Sequence, residues 1–168
     1  AENGDKILDT HVGTGRMLEY LYRNAACEVC GLSEDMENVR VSRSRLRNAD
    51  IVYGSHEDIP WREDTFDSVY LKAIADPLSE KALTEALRVL KPGGQLLVGM
   101  RTVPVPLRYL VTWFQGTSDD DLLYPRARYQ ALAMMRRLGL TNITWQATDA
   151  FNGVCIGWKA LPSERMQL

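Results

Sequence analysis

Short apolar segments alternate with helix-period segments along this chain, and that alternation leaves few folds open to it. Lys6–Thr10, Cys27–Leu32, Asp50–Tyr53, Ser68–Leu71 and Gln95–Met100 read as strands. Between them, Thr14–Asn24 carries Met17, Leu18, Leu21 and Tyr22 on one helical face. Ser33 stands as the N-cap of a second helix running to Arg47, with Glu34, Asp35 and Glu37 favouring its first turn. Ser79–Leu90 reads as a third helix, ended by Lys91–Gly94 (KPGG), a stop and turn. Strand–helix alternation of this kind builds a parallel sheet with helices on both faces. Its ligand crevice lies beyond the carboxyl ends of the strands, where the strand order reverses. The last third differs. Asp119–Leu138 is mostly helical, and Ile143–Thr148 and Gly153–Lys159 are strands joined by a polar turn. They are expected to form an antiparallel pair at one sheet edge.

The 168 residues make one ordinary domain, able to bury a core without disulfides or metal. A net charge of -2 offers no field for nucleic acid or anionic membranes, so neither is expected as a partner. The basic run Arg40–Arg47 reads as a solvated helix face. Three cysteines suggest a reducing, cytoplasmic setting. Cys27 and Cys30 form a CxxC, but on a strand residues three apart point to opposite sides, and no second ligand pair completes a metal site. No apolar run is long enough to span a membrane.

Five segments carry a resemblance. Ile7–Leu18 reads ILDTHVGTGRML and is similar to the motif LDxGxGxGxL; GLSEDMENVR resembles GxDxSxxMxxxA. GSHEDIPWREDTFDSVYL is similar to gDaexLPFxdxsFDxV, and ALTEALRVLKPGGQLLV to exLxExxRVLKPGGxLxx. The tail MRRLGLTNITWQATDAFNGVCIGWKA resembles a final helix and hairpin. In this order and spacing they resemble the class I S-adenosylmethionine-dependent methyltransferases, in the small-molecule branch similar to ubiquinone-biosynthesis enzymes. The resemblance implies an α/β, Rossmann-like doubly wound fold: a mostly parallel seven-stranded sheet with an antiparallel C-terminal hairpin, in a single domain over 1–168. Family members carry further N-terminal helices over the cofactor, which are expected to be either absent here or trimmed away. Phe66, Asp67 and the KPGG turn mark the fold and are not expected to touch a ligand.

The same resemblance implies S-adenosylmethionine as cofactor, held by Asp9, Thr10, His11, Gly13, Gly15, Gly31, Ser33, Ser55, His56 and Lys72. Asp9 would bind its amino-acid end, and Gly13 and Gly15 would shape the loop. Three positions depart from the pattern. His11 replaces the first motif glycine, and a left-handed conformation there would cost a histidine what it does not cost glycine. The acid that accepts both ribose hydroxyls falls on Gly31 in one register and on Ser33 in another. The aspartate facing the adenine amino group is Ser55, and His56 would contribute its backbone N–H. Glu34 and Asp35 would substitute only by a loop shift. Losing two charged acceptors implies weak cofactor binding. Ser55→Asp is then expected to tighten it, and His11→Gly to relax the turn.

Two functions follow. One is a methyltransferase acting on a small-molecule acceptor flanked by Lys72, Asp76 and Arg101–Tyr129, with Tyr109, Trp113, Phe114 and Tyr124 as apolar cover. The other is a non-catalytic module that keeps the fold for interaction or regulation. Neither names a catalytic residue, a metal or an oligomeric state. A nicotinamide-dinucleotide enzyme is disfavoured, because the turn reads HxGxG, not GxGxxG.

Overall fold

A computed structural model of the chain describes residues 3–73, 78–101, 124–148 and 152–162. Seven strands and four helices lie within them: β1 (Lys6–Asp9), α1 (Arg16–Ala25), β2 (Glu28–Ser33), α2 (Met36–Arg45), β3 (Asp50–Tyr53), β4 (Phe66–Ala73), α3 (Glu80–Val89), β5 (Leu90–Arg101), α4 (Tyr124–Arg137), β6 (Leu140–Ala147) and β7 (Asn152–Lys159). The strands form one sheet in the order β3-β2-β1-β4-β5-β7-β6. β1 to β5 run parallel, and β7 lies antiparallel between β5 and β6. The doubly wound sheet and the antiparallel hairpin are therefore both present, and the order reverses between β1 and β4.

Burial on both faces explains why the strands read as apolar runs. Ile7, Val29 and Ile51 join one cluster, with Leu18 of α1 and Val39 of α2. Their sequence neighbours Leu8, Cys30 and Val52 join the other, with Leu83 and Val89 of α3 and Met135 of α4. The period of two that alternates the side chains also separates the CxxC. Cys27 belongs to the first cluster and Cys30 to the second, and both are buried thiols outside any disulfide.

Element ends differ from the sequence reading by a few residues, and at two places the local structure differs in kind. Asp35, not Ser33, caps α2: its carboxylate accepts the Glu37 N–H at 2.8 Å. β2 runs through Ser33, whose hydroxyl oxygen accepts the Asp35 N–H instead. The KPGG segment is not a free turn, because β5 starts at Leu90. Phe66 lies opposite Leu90 and Ser68 opposite Gln95, so Lys91–Gly94 bulges against Asp67 alone. Gly93 takes φ +78 there, and Lys91 reaches the Asp67 carboxylate at 2.8 Å. Of the helix read over Asp119–Leu138, residues 119–123 lie outside the described residues and Tyr124–Arg137 is helical. Among the described residues no helix is long and apolar enough to cross a membrane.

Candidate functional site

Backbone hydrogen bonds stitch together the carboxyl ends of the first four strands. The Thr10 N–H donates to the Tyr70 carbonyl, Val12 N–H to Leu32, and Gly54 N–H to Ser33, each at 3.0 Å. These bonds gather the loop after β1, the end of β2, the loop after β3 and the end of β4 at the point where strand order reverses. The Thr10 hydroxyl donates to the Tyr70 carbonyl at 3.1 Å, which makes it a brace between β1 and β4.

Asp9 closes β1 and is only 3% exposed. Its Oδ1 accepts the His11 N–H at 2.9 Å; among the described residues no hydrogen bond reaches Oδ2. Burial pushes its carboxyl up to about 6, against the opposing effects of the His11 N–H and the Lys72 ammonium. That Asp9–His11 bond also removes the difficulty expected at His11. The positive-φ residues of the loop are Gly13 (φ +49) and Gly15 (φ +76), and His11 is not among them. The carboxylate turns the chain two residues on, so no glycine is required at position 11. His11→Gly is therefore expected to lower stability by about 0.5–1 kcal/mol, through the freedom it adds to the unfolded chain. Chemical denaturation measures this, and a gain in stability would mean the turn is strained after all.

The two loop glycines serve different ends. A Cβ on Gly13 would meet nothing nearer than the His11 carbonyl at 3.9 Å, which leaves its backbone open to a close-lying ligand. A Cβ on Gly15 would stand 3.0 Å from Ser42 Cβ, so that glycine lets α1 start against α2. Gly31 is likewise a packing position. It lies inside β2, opposite Asp9 and Ile51, with Val12 folded directly over it. Of the two registers weighed for the ribose acid, the strand-end position falls on Ser33.

The residue after Ser33, Glu34, is acidic. The Glu34 carboxylate crosses toward the loop after β3. A hydrogen bond with Ser55 is the main cause holding its carboxyl below the usual range, helped by the charge and backbone N–H of His56 and the charge of His11. Glu34 Oε1 lies 3.2 Å from His56 Nδ1, at an angle short of a hydrogen bond. The His56 ring packs 4.8 Å from the His11 ring, tilted by 41°. The Ser55 oxygen also accepts the Glu57 N–H at 3.2 Å. From the sequence, Glu34 reads as a helix-start acid. Its signal was only its position, one residue past the strand end. Lys72 stands exposed near the end of β4. Asp76, Tyr109, Trp113 and Phe114 lie outside the described residues, as does the side chain of Tyr124.

A cavity of about 620 Å³ lies at the opposite pole, and its cations are already paired: Arg88 with Glu85, Lys159 with Asp64.

Residues 8–98 match the family model described as a methyltransferase domain. The chain belongs to this methyltransferase family. It is 36% identical over 186 aligned positions to a ubiquinone/menaquinone biosynthesis C-methyltransferase of Rhizobium meliloti, covering 92% of this chain and 72% of that relative. It is 33% identical to a demethylmenaquinone methyltransferase of Renibacterium salmoninarum over 65% of this chain. The chain spans less than half the length of that protein and of two like-named relatives: 47%, 41% and 44%. Among solved structures, the [4+2]-cyclase SpnF superimposes over 95% of this chain and 77% of its own, with a TM-score of 0.74 at 17% identity. Phosphoethanolamine N-methyltransferase 2 of Haemonchus contortus, in complex with S-adenosyl-L-methionine, covers 95% of this chain and 50% of its own, with a TM-score of 0.74 at 14% identity. These likenesses establish the fold; the cyclase and the methyltransferase share it.

Proposed function

We propose that this methyltransferase domain binds S-adenosylmethionine across the carboxyl ends of β1 to β4 and transfers its methyl group to a small-molecule acceptor. One observation carries the reading: the carboxylates of Asp9 and Glu34 are linked through the adjacent His11 and His56, next to an open left-handed glycine at position 13. The cofactor has an ammonium at one end and a ribose diol nearer the other, and such a pair of acceptors suits it. When bound, its sulfonium supplies an activated methyl group.

The chain's own residues then bind and orient. Asp9 accepts from the amino-acid end through the oxygen that His11 leaves open. Gly13 allows close backbone approach, and Glu34 accepts from the ribose hydroxyls, held by Ser55 and His56. The rings of His11 and His56 form the wall between the two carboxylates. Methyl transfer from a sulfonium depends mainly on aligning the nucleophile, and rigid strand ends give that alignment. The relatives' names point to a quinone-precursor ring as acceptor.

Calorimetric titration with S-adenosylmethionine tests the reading. Glu34→Gln is expected to weaken binding about tenfold, the difference between a charge-assisted and a neutral hydrogen bond. Ser55→Asp is now expected to weaken binding as well, because it removes a donor from Glu34 and sets a second carboxylate beside it. If Ser55→Asp tightened binding and Glu34→Gln had no effect, Glu34 would not be the ribose acceptor. Absence of binding in the wild type would favour the non-catalytic module.

A further inference from the structure

Among the described residues Lys72 makes no hydrogen bond or ion pair, although it lies near the carboxyl end of β4, beside the strand that carries Asp9. Its place is set by strand register. Asp9 lies opposite Tyr70 across the β1–β4 pairing, so Lys72, two residues on, projects from the same face of the sheet nearer the carboxyl edge. β1's other neighbour brings no charge, because the residue opposite Asp9 on β2 is Gly31. The groups facing Asp9 are therefore the Lys72 ammonium and the Tyr70 phenol from β4, with the His11 backbone N–H from its own loop. The phenol stays neutral: burial first, and then the Asp9 charge, pushes it up. Asp9 thus has one backbone donor and one cation to offset the loss of water around a carboxylate that is 3% exposed.

We propose that Lys72 is a positioning residue that keeps Asp9 ionised, and thereby sets the lowest pH at which the site accepts the ammonium end of its cofactor. The inference rests on the cofactor reading above, but the state of Asp9 can be measured without any cofactor. The two partners divide the work. Burial keeps Asp9 free of competing water, and the exposed lysine supplies charge from a distance without filling the carboxylate's open oxygen. A lysine bonded directly to Asp9 would block that oxygen.

The sign follows from the chemistry. Removing a nearby cation makes the carboxylate harder to ionise, so Asp9 takes up its proton at a higher pH. Wild-type affinity for S-adenosylmethionine should fall as the pH drops through about 6. In Lys72→Met the fall should begin at higher pH, with a loss near pH 7 of about twofold for the first unit by which Asp9 moves and approaching tenfold for each further unit, and affinity should recover in alkaline buffer. Lys72→Arg should restore the wild-type profile, since it keeps the charge.

Two measurements test this: calorimetric titration with S-adenosylmethionine across the pH range, and carbon NMR of the Asp9 carboxyl in the unliganded protein. An upward move of the Asp9 titration in Lys72→Met, reversed in Lys72→Arg, supports the proposal. An unmoved Asp9 titration overturns it, as does a Lys72→Met binding curve lowered by the same factor at every pH. If the wild type binds no S-adenosylmethionine at any pH, the cofactor reading fails, and the NMR titration alone still decides the role of Lys72.

Discussion

Asp9→Asn is expected to make the unliganded protein more stable while removing most of its affinity for S-adenosylmethionine. The Asp9 carboxyl is pushed up to about 6 from an ordinary value of 3.8, chiefly by burial. An ionised aspartate at neutral pH is therefore a cost to the fold, on the order of 3 kcal/mol at most for a rise of about two units. The sign is the reverse of that for a salt-bridged carboxylate. A group raised in the folded state contributes its stability in full below its unfolded value, and loses it as pH rises through about 6. Asparagine keeps the acceptor for the His11 N–H and carries no charge. The gap between variant and wild type should thus be widest near pH 7 and close toward pH 3, below the unfolded value of 3.8, where Asp9 is largely protonated in both states. Binding moves the other way: losing a charge-assisted hydrogen bond to an ammonium costs about 1.5–3 kcal/mol, roughly ten- to a hundredfold or more in affinity. Denaturation curves at the two pH values, with calorimetry at the upper one, check both halves. A variant less stable than wild type at pH 7 would show that Asp9 is not ionised against its burial, and the functional cost assigned to it would be wrong. The groups whose carboxyls are held low, such as Asp67 beside Lys91 and Glu85 beside Arg88, act in the opposite direction on acidification. The comparison is therefore one between variant and wild type, not between two pH values alone.

Gly31→Ala is expected to cost about 1–3 kcal/mol, the usual range for forcing a methyl group into a filled core. The added Cβ would stand 2.8 Å from Val12 Cγ2, 3.0 Å from Val12 Cβ and 3.2 Å from Leu18 Cδ1. Val12 cannot step aside alone, because its N–H is bonded to Leu32 and its carbonyl accepts the Gly15 N–H. The whole turn must lift, and with it the backbone at Gly13. The variant should lose both stability and cofactor affinity, although residue 31 itself would touch no ligand. Thermal or urea denaturation gives the first and calorimetry the second. Unchanged stability would mean that Val12 has room that this packing denies it.

Much of the architecture was legible because it follows from local rules. A strand buried on both faces must be apolar throughout, and one followed by a helix must return parallel to itself; Ile7 with Leu8 and Val29 with Cys30 divide between the two cores as that rule requires. The antiparallel pair at the end was equally plain, since only a short polar turn separates the two strands. Asp9 and the left-handed Gly13 and Gly15 were also readable, because a tight turn from strand to helix names its own residues. The KPGG segment was read only in part. Its glycines mark an irregularity, but whether it turns freely or bulges within a strand depends on Phe66 and Asp67 in β4.

The sequence by itself thus determined the order of the elements, the class of the sheet and one end of the candidate site, since each is set by periodicity or by backbone freedom within a few residues. Only the tertiary structure decided the rest. His11 escapes a left-handed conformation because the Asp9 side chain folds back to its N–H. Gly31 is a packing position because Val12 returns over it from another element. Glu34 faces the loop after β3, and does not only start a helix, because β3 brings Ser55 and His56 beside it. Hydrogen bonds and packing of this kind join residues from different segments, and their partners are fixed in space by the sheet order, not by any spacing along the chain.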